Sequence, residues 1–401
     1  MPETSVAALL RQIETVGADS KRGGYSRHVF DPAELELRAW FADRATDLGL
    51  TLETDNNGNL WGWWGAPGPG AVVTGSHLDS VPGGGALDGP LGVATALAAI
   101  ASLQAEGFAP ARPVAIAVFA EEEGSRFGVA CLGSRLLSGA ITPERALGLT
   151  DAAGTTFAEA ATAFGLDIAA LGADHETLGR IGVFVELHVE QGRGLADLDA
   201  PVAVASSILA HGRWRLTVRG QGNHAGTTRM AERRDPMVVA ARVILAARQV
   251  AGASESVRAT VGRIEAVPGG TNVIASSVSA WLDVRATSDR EARGAVADIA
   301  AAVRSAAAAE GCELELVEES WAGEVSFDPE LRDRIRAALG GVPVLPTGAG
   351  HDAGVLAAVV PTAMLFVRNP SGISHAPEEG ATDDDCEAGV AALVTVLKEL
   401  L

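Results

Sequence analysis

His77 and Asp79 lie in Val72-Val73-Thr74-Gly75-Ser76-His77-Leu78-Asp79, and Asp88 follows in Leu87-Asp88-Gly89. Glu121-Glu122-Glu123-Gly124 comes directly after Val114-Ala115-Ile116-Ala117-Val118-Phe119-Ala120. His188 closes Val183-Phe184-Val185-Glu186-Leu187-His188, and His375 lies in Gly372-Ile373-Ser374-His375-Ala376-Pro377. Each polar group sits where a buried strand would deliver it to a sheet edge. Together they hold enough nitrogen and oxygen ligands for two metal ions, with a carboxylate left over. Two metals and a free carboxylate are the equipment of a hydrolase.

Taken singly, each group has a bland reading beside the chemical one. Residues two apart on a strand share a face, so Asp79 can hold the second nitrogen of His77, as carboxylates do behind zinc-bound imidazoles. A surface pair has the same pattern. Asp88-Gly89 alone reads as a turn. Three adjacent carboxylates at the end of a buried strand repel one another, and charge is costly near a core. Either that strand ends at the surface or a cation compensates. A lone histidine such as His188 is more often a satisfied core residue, and His375 equally fits a loop at a helix start. His28, His175 and His211 have no such setting. His224, in Gly222-Asn223-His224-Ala225-Gly226, occupies a glycine-bounded loop, an odd place for a structural histidine but open to a surface one. Arg285 ends Trp281-Leu282-Asp283-Val284-Arg285, where it is a surface residue or a fork for a carboxylate. Asn272 is a turn residue or an amide that reads a substrate.

The elements that must position these groups alternate between strand and helix. Val72–Thr74 and Val114–Phe119 read as short buried strands, with a helix between them that Pro90 can open. Val183–Leu187 is another such strand, Thr362–Val367 a fourth, and Asp383–Leu400 a C-terminal helix. This alternation argues for an α/β layer on a mostly parallel sheet. The texture changes near His211. Trp214–Arg219 alternates apolar and polar residues, a helix runs from about Asp235 to Val250, and Arg258–Ile264 and Val278–Arg285 read as strands. Asp289 then caps an alanine-rich helix, and Glu313–Val317 alternates again. That order is the order of a ferredoxin-like sandwich. The domains expected are therefore a catalytic part over 1–209, an inserted α+β domain over 210–322, and the rest of the catalytic part over 323–401.

Composition narrows the partners. The 401 residues are too many for one ordinary core. A formal net charge of -20 repels nucleic acid and anionic lipid, so neither is an expected partner. The apolar residues Val6, Leu9, Leu10, Ile13 and Val16 recur at helical spacing behind the acidic start Met1-Pro2-Glu3-Thr4-Ser5, which does not read as a signal peptide, so an amphipathic surface helix is expected. No apolar run approaches the roughly 20 residues of a membrane span. The three cysteines, Cys131, Cys312 and Cys386, are odd in number and lack metal-site spacing, which fits idle thiols in a reducing cytoplasm. Gly83-Gly84-Gly85 does not follow a strand and open a helix, so nucleotide binding is discounted.

In order, Gly75-Ser76-His77-Leu78-Asp79, Leu87-Asp88-Gly89-Pro90, Glu122-Glu123-Gly124-Ser125-Arg126-Phe127 and His188-Val189-Glu190-Gln191-Gly192 resemble the di-metal amidohydrolases related to aminoacylase and acetylornithine deacetylase. The likeness continues through Gly222–Gly226, Asn272-Val273-Ile274, Asp283-Val284-Arg285, Gly350-His351-Asp352-Ala353 and Ile373-Ser374-His375, over nearly the whole chain. The Glu-Glu-Gly-Ser-Arg-Phe and His-Val-Glu-Gln-Gly stretches favour the ureido-hydrolysing branch, which holds allantoate amidohydrolases, N-carbamoyl-L-amino-acid hydrolases and β-ureidopropionases.

The resemblance implies a di-zinc-hydrolase fold, with the inserted domain acting as lid and dimerisation surface of a homodimer. It implies two divalent ions, zinc, manganese, cobalt or nickel. His77 and His188 would bind one ion each, but not the same one. Asp88 would bridge, Glu123 and His375 would share the second ion, and Glu122, one residue before the ligand, would be the general base. Gln191, His224, Asn272, Arg285 and His351 would hold a small carboxylate substrate, and His224 would reach across the dimer to a neighbour's site. The rival readings are an N-acyl or N-formyl amino acid deacylase or a peptidase on the same scaffold, and a non-catalytic binding protein with a broken metal set.

Overall fold

The computed structural model describes residues 4–401, so the acidic start Met1-Pro2-Glu3 lies outside the described residues. The chain divides into two compact units: the first runs to Ser207 and resumes at Ser326, and the second spans Ile208–Val325. Strands β1 (Thr51–Thr54), β2 (Leu60–Trp64), β3 (Ala71–His77), β4 (Val114–Phe119), β5 (Ile181–Val189) and β6 (Val202–Ile208) come first. Strands β7 (Ala210–Arg219), β8 (Asn223–His224), β9 (Val257–Val267), β10 (Val273–Ile274), β11 (Ser277–Ala286) and β12 (Glu313–Ala322) follow. β13 (Val325–Ser326), β14 (Val344–Thr347) and β15 (Thr362–Val367) close the set.

The large sheet of the first unit has the order β1-β2-β4-β3-β5-β15-β6-β13, with β14 beside β6. Its centre, β4-β3-β5-β15, is parallel. β3, β4 and β15 are buried along their whole length and β5 nearly so. Parallel strands need helices on both faces, which is why these four read as continuous apolar runs. The outer pairs β1/β2, β2/β4 and β15/β6 are antiparallel. The helix Pro90–Ala105 is apolar almost all round and sits in the core with the C-terminal helix Asp383–Leu400. The first helix, Val6–Gln12, is shorter than its apolar spacing suggests: Ile13 is its C-cap, yet Val6, Leu9, Ile13 and Val16 all reach the same core.

From β3 the chain steps to β4 on one side, then returns past β3 to β5 on the other. Such a reversal opens a crevice at the carboxyl ends of the strands, where ligands bind in open α/β sheets. His77, the residues after Phe119, and His188 all lie at those ends.

The second unit is a four-stranded antiparallel sheet, β12-β7-β11-β9, carrying the helices Pro236–Gly252 and Asp289–Ala309. Strand β11 alternates buried and half-buried residues, the pattern of a sheet with one packed face. The second helix is capped by the Ser288 hydroxyl, which accepts from Glu291 N; Asp289 stands in its first turn and is not the cap. No helix among the described residues is long and apolar enough to cross a membrane. All three cysteines are free, Cys131 and Cys386 buried and Cys312 half-buried.

Candidate metal centre

β3 and β5 are parallel neighbours with Gly75 paired to Glu186, so His77 and His188 come two residues later at the same height. Their rings stack with centroids 5.8 Å apart. In each ring Nδ1 lies on a backbone carbonyl: His77 on Asp79 O at 3.0 Å, His188 on Val189 O at 2.9 Å. A carbonyl can only accept, so both Nδ1 atoms carry the proton and both Nε2 atoms turn inward. The two Nε2 atoms are buried without a hydrogen-bond partner among the described residues. They face one carboxylate oxygen, Asp88 Oδ1, at 3.6 Å from His77 and 3.1 Å from His188.

Asp88 comes just before the helix Pro90–Ala105, and Gly89 makes the turn at φ 86. A Cβ on Gly89 would stand 2.5 Å from the His77 ring, so the turn can pass under the imidazole only as glycine. The other oxygen, Asp88 Oδ2, lies 3.3 Å from His375 Nε2, which is itself 3.5 Å from Glu123 Oε2. Two triads result, His77–Asp88–His188 and Asp88–Glu123–His375, each with its ligand atoms within 4.8 Å of one another. This corrects the expectation that His77 and His188 serve different ions. Parallel pairing in register brings both to the same side of Asp88, and His375 with Glu123 takes the other.

Asp79 also differs from expectation. β3 ends at His77, so the two-residue alternation does not extend to Asp79. The His77 hydrogen bond goes to the Asp79 carbonyl, while its carboxylate stands 3.5 Å from Nδ1. That carboxylate accepts from the backbone N–H groups of Glu122, at 3.2 Å, and Glu123, at 3.1 Å. Asp79 therefore fixes the acidic loop as well as the ring.

The three glutamates separate by environment. Glu121 is fully buried at φ 55, and its Oε1 accepts from Arg126 N and Phe127 N at 2.9 and 2.6 Å. It folds the loop back on itself, a role the sequence reading leaves open. Burial, then Asp79, pushes its carboxyl up to about 8. Glu122 is buried beside His77, with Oε2 3.7 Å from Nε2, and the Cys131 thiol lies 3.5 Å from its Oε1. Burial holds its proton affinity well above the carboxylate range; His77 opposes this, and Asp352 and Glu123 add to it. Glu123 is pushed up to about 7, by burial first and Asp88 second. Since Glu121 and Glu122 are both buried, a surface strand end does not explain the run.

The imidazoles carry the complementary signal. Burial alone would lower His77, yet Glu122, Asp79 and Asp88 overrule it and hold it well above the histidine range. His375 is raised to about 9, first by its bond to Asp88, against the effect of burial. The carboxylates thus call for positive charge at these nitrogens, and either protons or metal ions can supply it. The all-imidazole-and-carboxylate donor set, with Nδ1 pinned and Nε2 turned inward, fits divalent ions.

Gln191 Nε2 donates to Asp88 Oδ2 at 3.0 Å and to Ser374 Oγ at 3.2 Å. His351 is buried with its ring 4.5 Å from that of His188, and burial, then His188, lowers it well below the histidine range. In a third cluster, Glu186–His188–His351, the donor atoms also lie within 4.8 Å of one another. Both Glu186 oxygens are already bonded there, to Ser76 Oγ at 2.8 Å and Ala353 N at 3.0 Å, so Glu186 supports the loop at His351. Glu186, Asp352 and Glu379 are buried members that sequence reasoning missed. Glu186 lies two residues before His188 on a strand, a signal that was available.

In the second unit β8 pairs with β10, setting His224 opposite Val273, and Ala225 N donates to Asn272 O at 3.0 Å. His224 is exposed, with Nδ1 accepting from Gly226 N at 3.0 Å. Arg285 is bonded to Asp283, two residues away on the same face of β11, at 3.0 Å from Nε.

The model of peptidase family M20/M25/M40 matches residues 73–399. The chain belongs to this family. It is 36% identical over 388 residues to an N-carbamoyl-L-amino acid amidohydrolase of Geobacillus stearothermophilus, covering 94% of each chain. It is 32% identical over 410 residues to the allantoate amidohydrolase of Escherichia coli (strain K12), covering 99% of this chain and 97% of that one. Among solved structures, an amidase of the hydantoinase/carbamoylase family from Burkholderia multivorans superposes with a TM-score of 0.88 at 32% identity, covering 98% of this chain and 97% of that one. These M20 relatives span nearly the full chain, inserted unit included.

Proposed function

We propose that this chain is a two-metal amidohydrolase that cleaves a linear C–N bond of a ureido-type carboxylate, allantoate or an N-carbamoyl-L-amino acid. The observation that carries this reading is the pair of triads sharing Asp88, with Glu122 buried beside them, 3.7 Å from His77 Nε2 and a member of neither. The names of the M20 relatives support the ureido class. Bound divalent ions, zinc, manganese, cobalt or nickel by donor type, would acidify a water and polarise the substrate carbonyl.

The chain's own groups do the rest. His77, Asp88 and His188 form one ligand set and Asp88, Glu123 and His375 the other. Glu122 takes the proton of the attacking water and returns it to the leaving nitrogen. Asp79 keeps Glu122 and Glu123 in place through their backbone N–H groups. His224 stabilises the oxyanion, while Gln191, Asn272 and His351 orient the substrate. Arg285 pairs bidentately with the substrate carboxylate.

Arg285→Lys is expected to raise KM for carboxylate substrates about tenfold or more, since a charge-assisted bidentate pair contributes about 1.5–3 kcal/mol. Steady-state kinetics checks this, and an unchanged KM removes the anchor role. A homodimer in which His224 serves its partner's site belongs to the same reading. Mixing inactive Glu122→Gln and His224→Ala chains should then restore part of the activity. No recovery after confirmed subunit exchange argues against a shared site.

The deciding experiment incubates the metal-loaded protein with allantoate, N-carbamoyl, N-formyl and N-acetyl amino acids, and a dipeptide. Ammonia and free amine are followed together. Ammonia from allantoate or an N-carbamoyl amino acid supports the ureido reading. Amine from the dipeptide or the N-acyl compounds alone overturns it.

A further inference from the structure

We infer that Glu379 is a positioning residue of this centre: one buried carboxylate ties the loop presenting Asp88 to the loop presenting His375. The inference rests on reading Asp88 and His375 as metal ligands. Glu379 Oε1 accepts from the backbone N–H groups of Leu87, at 3.1 Å, and Asp88, at 3.0 Å. Its Oε2 accepts from the Ser374 hydroxyl at 2.9 Å, one residue before His375. Gln191 closes the circuit, donating to both Ser374 Oγ and Asp88 Oδ2.

Two further observations point the same way. Gly85 leaves the space that the carboxylate fills, since a Cβ there would stand 2.2 Å from Glu379 Oε1. His375 needs external support: it sits at φ 55, in a segment without regular structure between Val367 and Asp383, and its side chain is 50% exposed. A non-glycine residue at positive φ persists only where its surroundings over-determine it. Asn369 secures the first half of that loop, accepting from Ser371 N and Gly372 N and donating to Ile373 O. Glu379 secures the second half, and it alone of the two also reaches the Asp88 loop.

The three contacts need two acceptor positions and no charge. Glutamine keeps the Leu87 and Asp88 bonds through its one amide oxygen and keeps the third only in reverse, its N–H donating to Ser374 Oγ, whereas alanine removes all three. The test titrates metal-free wild type, Glu379→Ala and Glu379→Gln with Co(II), following the visible absorption spectrum against a competing chelator. Wild type should take up two equivalents. Glu379→Ala should hold the weaker equivalent about 10–100-fold less tightly, the range for lost outer partners of metal ligands. Its kcat should recover at excess metal with KM little changed. Glu379→Gln should lose less than the roughly 10-fold lower bound of that range.

Wild-type affinity for both equivalents in Glu379→Ala overturns the inference. So does a Glu379→Gln as weak as Glu379→Ala, because charge rather than geometry would then be responsible. If Glu379→Ala does not fold by near-ultraviolet circular dichroism, Ser374→Ala decides, since it cuts the tie from Glu379 to the His375 loop, with the Gln191 contact at the same hydroxyl, and leaves the Leu87 and Asp88 bonds in place. A weakened second equivalent supports the inference, and an unchanged one overturns it. Wild type that takes up a single equivalent fails differently, by removing the two-metal reading itself.

Discussion

Glu122→Gln is expected to keep the two divalent ions of the proposed centre and to lose about 10²–10⁴-fold in kcat, the usual contribution of a positioned proton carrier. The side chain belongs to neither triad and lies 3.7 Å from the nearest ligand nitrogen. Glutamine matches its volume, so the buried loop held by Asp79 and Glu121 should stay intact. Only the ability to take and return a proton disappears. KM should change little, because the group acts on the water rather than on the substrate's anchoring carboxylate. Metal analysis together with steady-state kinetics checks both halves. Substantial activity in a fully loaded Glu122→Gln protein would falsify the assignment of Glu122 as base.

Asp88→Ala has the larger effect on metal. The two Asp88 oxygens face opposite ways, Oδ1 toward His77 and His188 and Oδ2 toward His375. Alanine removes a ligand from both sets at once. Loss of an outer partner typically costs 10–100-fold in metal affinity, so loss of the shared ligand should exceed that, by about 10³-fold or more. The protein should be isolated with little bound metal and no measurable turnover. Asp88→Asn retains one carbonyl oxygen and should therefore hold at most one ion. Two tightly held ions in Asp88→Asn, counted by equilibrium dialysis and metal analysis, would show that the triads do not share this residue.

Much of the α/β frame was legible in the chain itself. β4 and β15 coincide with their apolar runs, because strands buried on both faces admit no polar alternation. The inserted unit was legible for the opposite reason, since β11 alternates along its length. The ligand candidates were legible because a polar residue ending a buried strand needs a reason to be there. Glu121 and Glu379 were not. A carboxylate bonded to backbone N–H groups leaves no mark in composition or spacing, and the Leu87 and Asp88 amides that Glu379 meets lie almost three hundred residues away. Asp79 was half legible: its nearness to His77 follows from sequence, but its bonds to the acidic loop depend on β3 ending where it does.

The sequence by itself determined the inventory: imidazoles and carboxylates enough for two ions, one carboxylate in excess, and the order of elements that carries them. Side-chain type and burial pattern are local properties, and a chain displays them without folding. Tertiary structure decided the pairing. His77 and His188 share one face of Asp88 because β3 and β5 are parallel neighbours in register, a relation between segments more than a hundred residues apart. It also decided which glutamate is free, since Glu121 is committed to the loop backbone and Glu123 to the His375 triad. Which atoms converge on one point depends on strand order and turn geometry, and no local pattern encodes that.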